Sequence, residues 1–540
     1  PDEEMTNASQ ADASSPSDGQ FGLRLLKKTS LVSLMTLLSR ILGLVRDVVF
    51  ARMFGASIVM DAFIVANRIP NMLRRFFAEG AFSQGFVPVM ARYREQNSHD
   101  EARAFVDAVA GTLGLLLFVL TAIGVVAAPI LVFVVAPGFI GEDGRFDLAT
   151  AMLRFTFPYL FFVSLTAFAG GILNTYGRFG APAFTPVILN VVLIASALWL
   201  APQLEEPGMA LAYAVFVAGV VQLLFQLPFL ARIHAIPRPR WQPQHGGVKR
   251  VGKLMLPAIF GSSVAQINVL LGVIIASLLG VGKVSLLYYS DRLMEFPLGL
   301  FGIALATVTL PYLSRQAANE SMEAFSDTVD WSMRLVVLIA IPAAVGLIAL
   351  AGPLVATIFY GGVFTRFDVE MAALSLQAFA AGLIGFSFVK ILAPAYFARE
   401  DTKTPVKIGL IALAVNFVLS VALAWWLTRA GFAGAHAGLA LAISVAAILN
   451  AWLLYRGLRR DRVLTLSPGW GAFLFRILVA NIAMAACLVY FDQPLDWWLA
   501  ETAWARSVRL GMVVCAGASV YFAALFVVGG RPSQLGHRSR

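Results

Sequence analysis

Charge is what this chain of 540 residues has least of. Asp, Glu, Lys and Arg make up 13% of it, against 59% apolar residues, whereas a soluble domain carries about a quarter charged residues. So little charge cannot cover a water-facing surface, which argues against a string of soluble domains and leaves lipid as the covering medium. Cysteine is nearly absent: Cys487 and Cys515 are the only two, both within late apolar runs and neither placed for a disulfide or a metal site. The five histidines form no ligand pair, and no HExxH, GxSxG or CxxC occurs. Gly280-Val-Gly-Lys-Val-Ser285 looks briefly like a P-loop. It fails because Ser277 stands where the first glycine belongs and Val284 follows Lys283. No ATPase module, metal or cofactor is expected. The net charge of +10 would suggest nucleic acid in a soluble protein, but in a membrane chain Lys and Arg collect in cytoplasmic loops. Nucleic acid is not an expected partner.

What is present is a succession of long apolar runs with a mean hydropathy of +0.78. They fall at 29–52, 58–90, 103–135, 149–176, 183–203, 208–232, 249–279, 284–313, 322–350, 370–398, 405–428, 433–456, 472–491 and 506–529. Each is long enough to cross about 30 Å of hydrocarbon at 1.5 Å per residue. The expected fold is an all-α integral membrane protein of about 14 transmembrane helices. The first run carries Arg40 and is longer than the apolar core of a signal peptide, so it reads as a retained span.

Loop charges set the orientation. Alternate loops hold Arg92 and Arg94, Arg178, then Arg232, Arg238, Arg240, Lys249 and Arg250, and later Arg399, Lys403, Arg456, Arg459 and Arg460. The intervening loops hold Glu142, Asp143, Glu205, Glu206, Asp492, Asp496 and Glu501. By the positive-inside rule both termini are cytoplasmic, and Trp425, Trp426, Trp497, Trp498 and Trp504 fall where an outer aromatic belt belongs.

The chain repeats itself weakly. Asn67-Arg68 followed by Pro88-Val-Met-Ala-Arg92 matches Asp291-Arg292 followed by Pro311-Tyr-Leu-Ser-Arg315, and Tyr176 before Thr185-Pro-Val187 matches Tyr396 before Thr404-Pro-Val406. These pairs divide the chain into a disordered polar segment at 1–22, a lobe of spans 1–6 at 23–235, a second lobe of spans 7–12 at 236–460, and an added pair of spans with a cytoplasmic tail at 461–540. Two pseudo-symmetric six-helix lobes around a central site are a transporter plan.

The informative residues are ionisable groups inside apolar spans, each costing at least about 2.5–3.5 kcal/mol at mid-bilayer. Span 1 carries Arg40, Arg46 and Asp47. Span 2 carries Asp61, Arg68, Arg74, Arg75 and Glu79, and span 8 carries Asp291, Arg292 and Glu295. At 100° per residue Asp61, Arg68, Arg75 and Glu79 share one helix face, and Pro70 and Gly80 favour a bend. Arg52, Arg92 and Arg94 read as snorkelling helix ends, and Asp47 and Asp61 either hold an arginine in place or touch ligand. The arginines of spans 1 and 2 outnumber their acids. Guanidinium forks bind phosphate oxygens in pairs and keep their charge, so the expected ligand is phosphorylated or otherwise acidic.

The runs Ser39-Arg-Ile-Leu-Gly-Leu-Val-Arg-Asp47, Ala51-Arg-Met-Phe-Gly55, Asp61-Ala-Phe63, Leu73-Arg-Arg-Phe-Phe-Ala-Glu-Gly-Ala-Phe-Ser-Gln84 and Phe86-Val-Pro88 resemble the MurJ (MviN) lipid II flippases of the multidrug/oligosaccharidyl-lipid/polysaccharide exporter superfamily. The resemblance extends over the whole fourteen-span plan. It implies transport of lipid II, an undecaprenyl-pyrophosphate disaccharide pentapeptide, across the bacterial plasma (inner) membrane for peptidoglycan synthesis, by a protein active as a monomer. It further implies substrate binding by Arg40, Arg46, Arg74, Arg75, Arg292 and Ser285, with Asp61, Glu79, Asp291 and Glu295 as supporting or gating acids, and a lipid groove in spans 13 and 14. It also raises a cation site on spans 7 and 11, with Gln266 and Asn268 as candidates. Three other readings stay open: a flippase for another polyprenyl-pyrophosphate glycan, a multidrug/cation antiporter, and a membrane glycosyl- or phosphotransferase. Asp291 and Glu295 are the close carboxylate pair such an enzyme would need, but Arg292 between them weakens metal binding. Membrane potential, a proton and a sodium ion all remain open as the driving force.

The expected topology is directly testable. Cysteines at Asp143 and Asp496 should react with an impermeant thiol reagent from the periplasmic side only, and those at Arg240 and Arg460 from the cytoplasmic side only. The inverse labelling pattern overturns the orientation.

Overall fold

The computed structural model describes residues 18–76, 81–96, 98–141, 143–318 and 321–530. Glu79, Gly80 and Glu142, together with the stretch 1–17, lie outside the described residues. Every expected span is helical over most of its described residues. Span 1 is α1 (Asp18–Phe54), which begins inside the segment 1–22 expected to be disordered. A nucleated helix gains one hydrogen bond for each residue added, and α1 extends back past its first apolar residue. Span 2 is divided into α2 (Ile58–Arg74) and α3 (Ala81–Gln96); the backbone widens into a looser turn at Arg75 and Phe76, downstream of Pro70. Spans 3 and 4 are broken, at Ala127 and at Phe157 and Pro158 respectively. They form α4 (His99–Val126) with α5 (Ala128–Val135), and α6 (Arg145–Thr156) with α7 (Tyr159–Thr175). Then come α8 (Gly180–Ala195), prolonged by irregular turns to Gln203, and α9 (Met209–Arg232).

The second half contains α10 (Gly246–Ser277), α11 (Lys283–Ala318), α12 (Met322–Ala349), α13 (Ala351–Phe359), α14 (Arg366–Ala381) with α15 (Leu383–Phe397), α16 (Lys403–Arg429) and α17 (Ala437–Arg460). After these come α18 (Trp470–Phe491), α19 (Leu495–Ala500) and α20 (Ala503–Val527). The short α13 falls between the expected spans 322–350 and 370–398. Proline is tolerated in a first helical turn, where its missing N–H has no partner to lose, and that is where Pro353 sits. Among the described residues the one β feature is the isolated bridge Gly361–Phe364. Among the described residues ten helical stretches are long and apolar enough to cross a membrane. The remaining spans are α1, α2 with α3, α10, and α11, and three of these carry the intramembrane charges.

The apolar residues point outward as well as inward. Val126, Tyr490 and Val527 are 81%, 81% and 82% exposed, which only a lipid surround makes favourable. Trp425, Trp426 and Trp504 are exposed as a belt requires, but Trp498 is fully buried. Its indole N–H donates to Asp492 Oδ1 at 3.0 Å, so it anchors α19 rather than facing the interface.

The helices α1–α9 pack on one another, with α8 between α1 and α9, and α10–α17 form a second group in which α17 touches α14, α15 and α16. The groups meet where α10 lies on α3 and α11 lies on α2. Helices α18 and α20 pair together and lean on α12 and α13. Polar anchors fix them at two points. Arg334 of α12 donates to the carbonyls of Ser467 and Pro468, each at 3.1 Å, and its neighbour Asp330 accepts the Trp470 indole N–H at 2.6 Å. At the other end Arg506 of α20 donates to Ala356 O at 2.9 Å in the last turn of α13.

The hairpin after α13 ties the two halves together. Val363 N–H donates to Arg52 O of α1 at 2.9 Å. Gly362 reaches this position with φ +58°, and a Cβ there would stand 2.1 Å from the same carbonyl oxygen. Gly362→Ala therefore combines left-handed backbone strain with a backbone clash. It should lower stability by roughly 1–3 kcal/mol, visible as an earlier thermal unfolding transition in detergent, and a wild-type transition would show that this approach is not required.

Candidate functional site

The first amides of α11 need acceptors from outside their own helix. Asp61 of α2 supplies them. Its carboxylate accepts the N–H of Gly282 at 2.6 Å, the N–H of Ser285 at 2.9 Å and the Ser285 hydroxyl at 2.6 Å. This is an N-cap provided by the opposite lobe, and a carboxylate also suits the positive end of a helix. Glycine is required at 282 because its φ is +79° and a Cβ would lie 2.6 Å from Ala56 O. Asp61 is fully buried, with Arg145 Nη1 4.0 Å from its second oxygen. Arg145 is itself held by Asp143 at 2.7 Å and by Gly138 O at 3.0 Å. Gly138 in turn donates its N–H to the Ser277 hydroxyl at 3.2 Å, a further bond between the lobes at this end.

Two turns deeper the arginines converge. Arg46 of α1 donates to Asp47 Oδ1 through Nε at 3.0 Å and Nη2 at 2.7 Å, and through Nη1 to Asn190 Oδ1 of α8 at 3.0 Å. Asn190 is held by Ser39 O at 3.0 Å. From the other lobe, the Tyr288 hydroxyl of α11 donates to Asp47 Oδ1 at 2.8 Å and accepts from Arg46 Nη2 at 3.2 Å. Arg292, one turn further along, lies over the Tyr288 ring at 5.0 Å and pairs with Glu295 at 2.9 Å. A cavity of about 180 Å³ is lined by Arg46, Arg68, Arg74, Arg75, Arg292, Asn67, Asn71 and Tyr288. A second of about 620 Å³ shares Arg46 and Arg74 and is otherwise walled by neutral groups, including Ser83, Thr166, Asn174, Asn190, Gln222 and Gln226. Among the described residues lining the two cavities there is no carboxylate.

The structure thus brings Arg46, Arg74, Arg75 and Arg292 to one cavity wall. Arg40 stands apart: it is exposed and reaches α11, where a Cβ on Gly299 would be 2.6 Å from its Nη1. Asp291 lies in the field of Glu295, Arg292, Arg68 and Arg75. Ser285, expected to touch substrate, is fully buried in the bond to Asp61 and lines neither cavity. Asn268 is joined to Asn416 of α16 at 2.7 Å, while Gln266 is buried. Sequence reasoning left out Asn190 and Tyr288, neutral residues with no signal in a count of charges, and did not place Arg68 among the site residues. It also passed over Lys390 of α15, a lone cation in an apolar span whose field includes Glu295 and Arg40; the rule that flagged Arg292 applied there equally.

Residues 50–505 match the family described as "Lipid II flippase MurJ". The chain belongs to the MurJ family of lipid II flippases. It is 45% identical over 514 residues to the probable lipid II flippase MurJ of Haemophilus influenzae, covering 93% of this chain and 99% of that one. With the lipid II flippase MurJ of Burkholderia cenocepacia it shares 43% over 521 residues, 94% and 98% of the respective chains. A solved structure titled "Lipid II flippase MurJ, inward closed conformation" superposes with a TM-score of 0.74 at 26% identity, over 92% of this chain and 99% of that one. An inward-facing multidrug resistance transporter of the MOP superfamily, with a TM-score of 0.64 at 15% identity over 79% and 95%, shares the fold. This MurJ-family chain is a multi-pass membrane transporter and not an enzyme.

Asp61→Asn removes the charge that faces three donors. It should cost about 1–3 kcal/mol of thermal stability in detergent, whereas Ser285→Ala should cost only about 0.5–1.5 kcal/mol. If Ser285→Ala abolished transport at wild-type stability, Ser285 would be a substrate contact and not part of the tie.

Proposed function

We propose that the chain carries lipid II from the cytoplasmic to the periplasmic leaflet of the bacterial inner membrane by alternating access, both termini being cytoplasmic. The observation that carries this reading is the arginine-lined cavity between α1, α2 and α11: five arginines line it, each costly in hydrocarbon, and their planar forks match phosphate oxygens. In the proposed cycle Arg46, Arg74, Arg75 and Arg292 replace water around the pyrophosphate, and Arg40 and Lys390 add positive charge along the same path. The neutral amide and hydroxyl wall of the larger cavity suits sugar and peptide groups, which need hydrogen bonds without net charge. Drug-sized ligands fill pockets of about 300–1,000 Å³. A disaccharide with five amino acids therefore needs more room than 620 Å³, so the lobes must part further to load it. The bonds of Asp61, Gly138 and Val363 close one end, which the loop charges make the periplasmic one, and opening it requires breaking all three. Gly43, Pro70 and Pro297 are the proposed bending points, and the prenyl chain stays in lipid or along α18 and α20. The protein acts as a monomer.

If Arg292 grips phosphate through paired N–H donors, charge alone is insufficient. Arg292→Lys should then impair complementation of a flippase-depleted strain nearly as much as Arg292→Ala, at unchanged membrane abundance. The loss corresponds to about ten- to a hundredfold in affinity. Full activity of Arg292→Lys, or recovery by the double variant Asp291→Asn with Arg292→Gln, rules out the phosphate grip by this residue.

A further inference from the structure

Asp47 occupies an unusual position for a residue beside an anion-binding wall. It is 2% exposed, on α1, and its two oxygens face arginines from both lobes. Oδ1 already accepts from Arg46 and from the Tyr288 hydroxyl. Oδ2 lies 3.6 Å from Arg292 Nε, too long for a good hydrogen bond, and that Nε is buried with no acceptor. The donors of Arg46, Arg292 and Tyr288 thus surround one small anion, two of them well satisfied and one left open.

Resting on the phosphate reading of the cavity, we propose that Asp47 is a resident stand-in for the substrate phosphate, which displaces it. A phosphate group offers more acceptor oxygens than a carboxylate, so it satisfies Arg46 and Arg292 together where Asp47 satisfies only Arg46. Displacement has a mechanical consequence. The Tyr288–Asp47 bond and the Arg292–Asp47 attraction are ties between the lobes, and a phosphate held by Arg46 of α1 and Arg292 of α11 replaces them with a bridge of its own. Substrate binding thereby exchanges the ties made by Asp47 for one made through the substrate, so that Asp47 returns to the two arginines as the substrate leaves and neutralises them when it is gone. Asn190 keeps Arg46 oriented when Asp47 lets go, since it holds a different nitrogen, Nη1.

The distinguishing feature is the sign of the effect on binding. A residue that merely orients Arg46 and Arg292 helps substrate bind, and its removal weakens binding. A competitor hinders binding, and its neutralisation strengthens it. The test measures binding of undecaprenyl pyrophosphate to the full-length purified protein for wild type, Asp47→Asn, Asp47→Ala and Arg292→Ala, with complementation and membrane abundance measured for the same set. Asp47→Asn, close in shape to the original, should bind on the order of tenfold tighter yet complement poorly, because the carboxylate that reclaims the arginines as substrate leaves is gone. Asp47→Ala should shift binding in the same direction. Weaker binding by both Asp47 variants, with wild type and Arg292→Ala behaving as the phosphate reading requires, overturns the stand-in and leaves that reading intact. If wild type does not bind the probe, or Arg292→Ala binds it equally well, the phosphate reading and the stand-in fall together. Normal complementation by Asp47→Asn overturns the return of Asp47 to the arginines.

Discussion

The amides that open α11 are capped by an aspartate from the opposite lobe, and the rest of the site depends on that bond. Asp61 gives α11 the acceptors that its own sequence does not provide, and in doing so fixes the height and rotation of α11 against α2. Helical geometry then places the deeper side chains. From Ser285 to Arg292 is about two turns, so Tyr288 and Arg292 arrive opposite Asp47 and Arg46 because the start of the helix is pinned. A cap inside one lobe would stabilise α11 equally well but would say nothing about the other lobe. Placing it across the lobes makes one interaction serve both as helix cap and as closure.

The same economy explains how so many arginines are tolerated in the membrane. Buried charge is costly unless it is paired and hydrogen-bonded, and Arg46 and Arg292 are paired here through side chains, those of Asp47, Asn190 and Glu295. None of these closes the cavity to a stronger anion. The arginines near the accessory helices are treated differently. Arg334 and Arg506 bond backbone carbonyls at their attachments and act as anchors. The chemical type is the same in both places, and the partner decides whether it binds or braces.

Much of this was legible in the residues. The spans followed from hydropathy, and the charges inside them marked α1, α2 and α11, which line one cavity. The weak repeat pairing Asn67-Arg68 with Asp291-Arg292 was informative too, since Arg68 and Arg292 line one cavity. The rest was not, for physical reasons. The resemblance implied Ser285 as a substrate contact, and no local pattern shows that its hydroxyl bonds Asp61 here. Trp498 read as an interfacial residue, although the local turn at Asp492 buries its indole.

By itself the sequence determined that the chain lives in a bilayer, which helices carry charge, and that arginine exceeds acid along them, since transfer free energy and residue counts are properties of single positions. Only the tertiary structure decided which acid meets which arginine. Asp47 and Asp61 lie fourteen residues apart on neighbouring helices and look alike in the sequence, yet one faces guanidinium groups from two lobes and the other caps a helix more than two hundred residues away. That difference arises because pairing in a low-dielectric interior is set by distances of a few ångströms between elements remote in the chain, which no local pattern encodes.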